Sequence, residues 1–151
     1  MKDNDTYVIR ANETAEGPYD TVITTARAGW EYCMLRVAAL GAGDEIEVET
    51  GETELLVLPL SGAAHVTIDG ATYELAGRES VFTDITDYLY VPRGTSFLLR
   101  ATSAGRFALP ATKAWKDLPV RLCPRSEVTT SIRGRGIMTR QVNNYALGNR
   151  V

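Results

Sequence analysis

Residues Glu45–Ala101 read EIEVETGETELLVLPLSGAAHVTIDGATYELAGRESVFTDITDYLYVPRGTSFLLRA. Within them, Glu54–Leu60, Ala64–Ile68, Ala71–Leu75, Ser80–Phe82, Leu89–Val91 and Phe97–Arg100 are rich in Val, Leu, Tyr, Phe and Thr. The breaks carry Ser61-Gly62, Asp69-Gly70, Ala76-Gly77 and Pro92-Arg93-Gly94. Asp-Gly between two alternating runs is the strongest short-range hairpin signal, because a type I′ turn needs φ > 0 at both central positions. Short strands at a spacing of about 8–12 residues predict an all-β sandwich or barrel. No segment between them has the length or period of a βαβ crossover.

The order of the turns narrows the expectation. Gly43 precedes a strand, a leucine-rich strand ends at Ser61-Gly62, an Asp-Gly hairpin follows, and Tyr90-Val91-Pro92-Arg93-Gly94 turns into a last hydrophobic strand. That is the layout of a single-domain double-stranded β-helix, the cupin form of the jelly-roll barrel. Cupins often hold a metal on a pair of histidines, a glutamate and a third histidine. Laid on this chain by counting, those positions fall near Glu49 and Gly51, at Leu55 or its neighbour Glu54, and at Phe97. A first-row metal needs several converging N, O or S donors, so the expected barrel is metal-free, with no cofactor in this chain.

The 151 residues, 44% of them hydrophobic, suffice for one domain with a sizeable core and leave no case for disorder. A net charge of −3 and the absence of a Lys/Arg block argue against nucleic acid and anionic membranes as partners. No apolar run reaches the length of a membrane span. Cys33 and Cys123 lie far apart and form no CxxC pair, which points to reduced thiols and a cytoplasmic location.

The expected organisation is an N-terminal arm over 1–20, the degenerate cupin barrel over 21–118, and a connector or barrel-packing segment over 119–151. Thr6–Arg10 and Thr21–Thr25 read as short strands. Trp30–Leu40 reads as a largely buried strand with Trp30 and Tyr32 in the core, on which Arg36 must snorkel or pair with an acid. Gly105–Thr112 reads as one more strand, placed at an edge or a bulge by Pro110.

Three blocks carry a family resemblance. They are Thr24–Tyr32 (TTARAGWEY), the strand series from Glu52–Gly62 through Ser80–Asp84 to Leu89–Ser96, and Arg133-Gly134-Arg135-Gly136 with Thr139–Asn144 (TRQVNN). Over residues 20 to 145 the chain resembles the amino-terminal half of 5-deoxy-glucuronate isomerases, the sugar-acid ketol-isomerases of myo-inositol breakdown. These KduI/IolB-type bicupins share a wider family with the 4-deoxy-5-ketouronate isomerases of pectin breakdown. The resemblance implies an aldose–ketose isomerisation in the complete enzyme, with its divalent metal in a second barrel beyond Val151. It implies that this half alone is inactive and that no catalytic residue lies in it. The alternative is a non-catalytic cupin module for sugar-acid binding or subunit association, and barrel faces made for a partner predict a homodimer.

Arg133, Arg135, Arg140 and Arg93 are the candidate substrate-binding residues, because guanidinium forks match the carboxylate of a sugar acid. The competing reading pairs the RGRG arginines with acids of a neighbouring domain or subunit. His65 alternates with Thr67 on one strand face and has no partner in sequence to make it a general base. Glu45, Glu47 and Glu49 read as a solvated strand face, with a weak cation site or a carboxylate cluster as the alternatives.

Overall fold

The computed structural model describes residues 8–146, and the expected strand Thr6–Arg10 lies partly outside them. The elements are β1 (Tyr19–Ile23), a one-turn helix α1 (Thr25–Ala28), β2 (Cys33–Leu40), β3 (Glu45–Glu49), β4 (Thr53–Ile68), β5 (Ala71–Arg78), β6 (Tyr88–Val91), β7 (Ser96–Ala101), β8 (Gly105–Lys113), β9 (Arg121–Cys123), β10 (Thr129–Arg133) and β11 (Arg140–Asn144). The all-β expectation holds, and no described helix is long and apolar enough to cross a membrane.

β4 organises the molecule. Its first part pairs with β8 and β6, and its second part pairs with β7 and β5. The sequence suggests two strands broken at Ser61-Gly62, but the chain runs through this point as one strand that changes layers. Register shifts at Pro59/Ser61 and Gly62/Ala64 mark the bend. Gly62 takes φ 79°, and the backbones here are nearly in contact: a Cβ on Gly105 would lie 2.2 Å from the Ser61 carbonyl oxygen, and one on Gly77 1.8 Å from that of Gly62. Only glycine permits this approach. The first layer runs β1-β2-β8-β4-β6-β9, and the second joins β3, β7, the end of β4, and β5.

Alternation places Leu55, Val57, Val66, Leu75, Leu89, Val91, Phe97, Leu99, Phe107 and Leu109 between the layers, all at most 3% exposed. The Asp69-Gly70 hairpin forms as expected, with φ 48° and 82°.

The jelly-roll barrel does not form. Among the described residues β1, β3, β5 and β9 each pair with one strand only, so the nine-stranded sheet is branched and open rather than closed on itself. Near β6 the reason is local. β5 carries a bulge in which Ala76 and Gly77 face Ala63 alone, with Gly77 at φ 65°. The freed N–H groups donate to Asp87, Ala76 to Oδ2 at 2.8 Å and Gly77 to Oδ1 at 3.0 Å, instead of to a strand. A bulge bends and twists an edge strand away from further pairing.

Other expectations are corrected. Ser80–Phe82 lies in a turn, with Phe82 fully open to solvent. Trp30 and Tyr32 precede β2 and are 52% and 44% exposed. Pro110 sits in a central strand, where the ladder to β4 lapses between Ala111 and Ala108 while pairing to β2 continues through Leu35. Arg36 takes neither expected route and places its guanidinium 5.3 Å from the centre of the Tyr19 ring.

Candidate functional site

The outward face of the first layer is apolar and is covered by the chain's own C-terminal segment. Tyr88 and Cys123 are buried there with Val128, against Leu56, Leu58, Ile85, Tyr145 and Ala146. Tyr145 accepts bonds at its hydroxyl from Arg78 at 3.2 Å and from the Thr86 N–H at 3.3 Å, while the Tyr88 hydroxyl accepts the Ala146 N–H at 3.0 Å. Burial, and then the neighbouring Cys123 thiol, push Tyr88 up to about 12.

A cavity of about 480 Å³ opens at one end of this face, walled by Cys33, Leu56, Pro110 and Thr112 with Glu54 and Tyr90 as its polar pair. The Tyr90 hydroxyl donates to Glu54 Oε2 at 2.7 Å. Burial, the bond to Glu54 and that carboxylate's charge all raise the phenol above its ordinary range, so Tyr90 stays a donor at neutral pH. The volume suits a small molecule. The lining contains a carboxylate and no lysine or arginine, so it favours a hydroxyl-rich or cationic guest over a carboxylate. The sequence displays Glu54 and Tyr90 separately. Only the Leu56↔Tyr90 register makes them neighbours, and no local signal encodes that pairing.

The four candidate arginines fall in two places. Arg133 ends β10 opposite Arg140, which begins β11, and Arg135 lies in the tip between them. Arg133 Nε reaches Ser131 Oγ at 3.4 Å and Arg140 donates to the Met138 carbonyl at 3.2 Å. The three form no ion pair with a described carboxylate. Arg93 stands apart, 4.0 Å from Asp117 Oδ1, in a crevice of about 100 Å³ with Glu52, Lys113 and Trp115. No arginine lines the cavity that holds Glu54 and Tyr90.

His65 is on the outward face of the second layer, its Nε2 3.8 Å from Glu74 Oε1 and its cross-strand neighbours Glu74 and Arg100. Of the positions a cupin metal would use, Leu55 and Phe97 are 2% and 3% exposed between the layers, Glu54, the alternative to Leu55, lies in the cavity with Tyr90, Gly51 is in a turn, and Glu49 is exposed. Among the described residues no three His, Cys, Asp or Glu side chains converge, so this donor set does not fit a metal. Cys33 and Cys123 are free thiols, the first exposed and the second buried.

The comparisons with known proteins converge. A 5-deoxy-glucuronate isomerase from Geobacillus thermodenitrificans is 30% identical over 140 residues, covering 91% of this chain and 51% of that protein. One from Geobacillus kaustophilus is 32% identical over 124 residues, covering 81% and 45%. The crystal structure of an IolB-like protein from Salmonella typhimurium superposes with a TM-score of 0.81 at 31% identity, over 87% of this chain and 51% of that one. The chain thus spans about half the length of the relatives it matches. The sequence pattern of the KduI/IolB family covers residues 7–151, and the chain belongs to that family.

Proposed function

We propose that the chain acts as the amino-terminal, non-catalytic half of a sugar-acid ketol-isomerase of the 5-deoxy-glucuronate type, with metal and base supplied by a second half. The observation that carries this is the apolar filling of its interior: Leu55 and Phe97 occupy positions where a cupin would present donors. Aldose–ketose isomerisation needs a base to move a proton between adjacent carbons and a group that steadies the enediolate oxygen. His65 faces solvent outside the sandwich, and the Glu54–Tyr90 pair has no cation beside it among the residues lining the cavity. The purified chain, supplied with Mn²⁺ or Zn²⁺, is expected to give no turnover of 5-deoxy-glucuronate; measurable turnover would overturn the reading.

A second reading, sugar-acid binding without turnover, draws on the absence of ion pairs at Arg133, Arg135 and Arg140. All three are exposed side chains on the hairpin, which weakens it. Saturable glucuronate binding that disappears in Arg133→Ala/Arg135→Ala would favour it over the first.

A further inference from the structure

The β10–β11 hairpin is chemically unlike the rest of the chain. Residues 129–144 contain Arg133, Arg135 and Arg140 and no carboxylate, in a protein of net charge −3. Their base is anchored on the outward face of the first layer through Val128 and Tyr145. The rest projects, leaving Ile132, Ile137 and Met138 67%, 102% and 67% exposed. A two-stranded hairpin is marginally stable alone, and this one leaves apolar side chains bare beside cations that form no ion pair among the described residues.

The complement lies on the other side of the sandwich. The outward face of the second layer carries Glu45, Glu47 and Glu49 on β3 and Glu74 on β5, together with His65 on β4 and Leu98 and Arg100 on β7. Carboxylates dominate this face, the three β3 glutamates are exposed, and β3 leaves one edge unpaired. None of those three makes an ion pair within the described residues. Two sheet layers and the core separate this face from the one that anchors the hairpin, so the two patches meet only between molecules.

We infer that the β10–β11 hairpin is a docking arm whose partner is the β3 face of a second copy of this chain. Arg133, Arg135 and Arg140 lie among Glu45, Glu47 and Glu49, and the exposed isoleucines and Met138 cover the ground around Leu98. Donor and acceptor are on opposite faces, so the contact is head-to-tail and builds rings or short chains rather than an isologous pair. This does not depend on the isomerase reading, which is tested by turnover.

The experiment is light scattering on the purified chain across protein concentration and salt. At low salt the mass is expected to rise past that of two copies. Raising salt from about 50 to 500 mM is expected to weaken association roughly tenfold or more, because the screening length falls below the span of the patch. Arg133→Glu/Arg135→Glu and, separately, Glu47→Lys/Glu49→Lys change exposed side chains, and each variant alone is expected to stay monomeric. Mixing the two restores association, since each arm then meets an acceptor of opposite charge. A wild-type monomer under all conditions, association persisting in either variant alone, or a mixture that stays monomeric would each overturn the inference.

Discussion

Replacing Asp87 tests the account of why the sheet stays open at β5. Its carboxylate holds the bulge N–H groups of Ala76 on Oδ2 and Gly77 on Oδ1, and Oδ1 also accepts the Thr86 hydroxyl at 3.0 Å. Thr86 is 0% exposed, so losing its acceptor strands a polar group that water does not reach, at about 1–2 kcal/mol. The part-buried Gly77 bond contributes about 1 kcal/mol, and the exposed Ala76 bond less, because water replaces it. Asp87→Ala should therefore lower stability by about 3 kcal/mol and the melting temperature by roughly 6–12 °C for a chain of this size. Asp87→Asn separates the contributions. An amide oxygen in the Oδ1 position keeps Gly77 and Thr86 and gives up only the exposed Ala76 bond, at under about 1 kcal/mol. Urea titrations of the three proteins measure the differences. An alanine variant within 0.5 kcal/mol of the parent (about half the contribution of the Gly77 bond alone) would refute the reasoning, as would an asparagine variant as unstable as the alanine one.

At the bend, Gly77→Ala should destabilise by about 3 kcal/mol or more, because its Cβ would meet the Gly62 carbonyl at 1.8 Å from a positive-φ backbone; a melting temperature within a few degrees of the parent's would contradict the close approach. Tyr88 and Tyr90 make stability fall in alkali. Their folded pKa values are raised above 10.0, so their contribution is present below pH 10.0 and is lost as pH rises toward and past about 12. Thermal melts from about pH 9 to 11.5 should show this decline, reduced in Tyr90→Phe; equal slopes in the two proteins would count against a strongly shifted Tyr90.

The strands were legible where a local rule sets them. Asp69-Gly70 takes the positive φ angles that its turn demands, and the alternation that puts His65 and Thr67 on one strand face leaves Val66 and Ile68 in the core on the other. Sheet closure was not legible, because period-2 alternation says which side of a strand is buried and nothing about whether the last strand meets the first. Ser61-Gly62 shows how one signal serves two geometries: the positive-φ glycine that ends a strand also lets a strand bend between layers. Trp30 and Tyr32 were assigned to the core on hydrophobicity, yet they precede β2, and Tyr32 packs edge-on against Trp115 at 6.0 Å on the surface. β9 was missed because it is three residues long and exists through its pairing with β6. For the candidate site, sequence brings out the RGRG arginines by charge alone; that they sit on a projecting hairpin follows from pairing between Thr129–Arg133 and Arg140–Asn144.

The apolar interior bears on the proposed role of a non-catalytic half. Converging carboxylates and imidazoles between two sheet layers repel and lose hydration unless an ion holds them, so a metal-bearing interior ties folding to metal occupancy. Leu55 and Phe97 carry no such dependence, and each contributes about 1.5–3 kcal/mol by being buried. A half filled this way stands as a rigid platform at any metal concentration. Its two outward faces are then free to differ in chemistry. The first layer's apolar face is closed by the chain's own Val128 and Tyr145, whereas the three β3 glutamates and the hairpin's arginines make no ion pair within the described residues. Side chains with no charge to balance inside one molecule are the ones left to recognise another, so on the proposed reading specificity lies in the surface rather than in the interior.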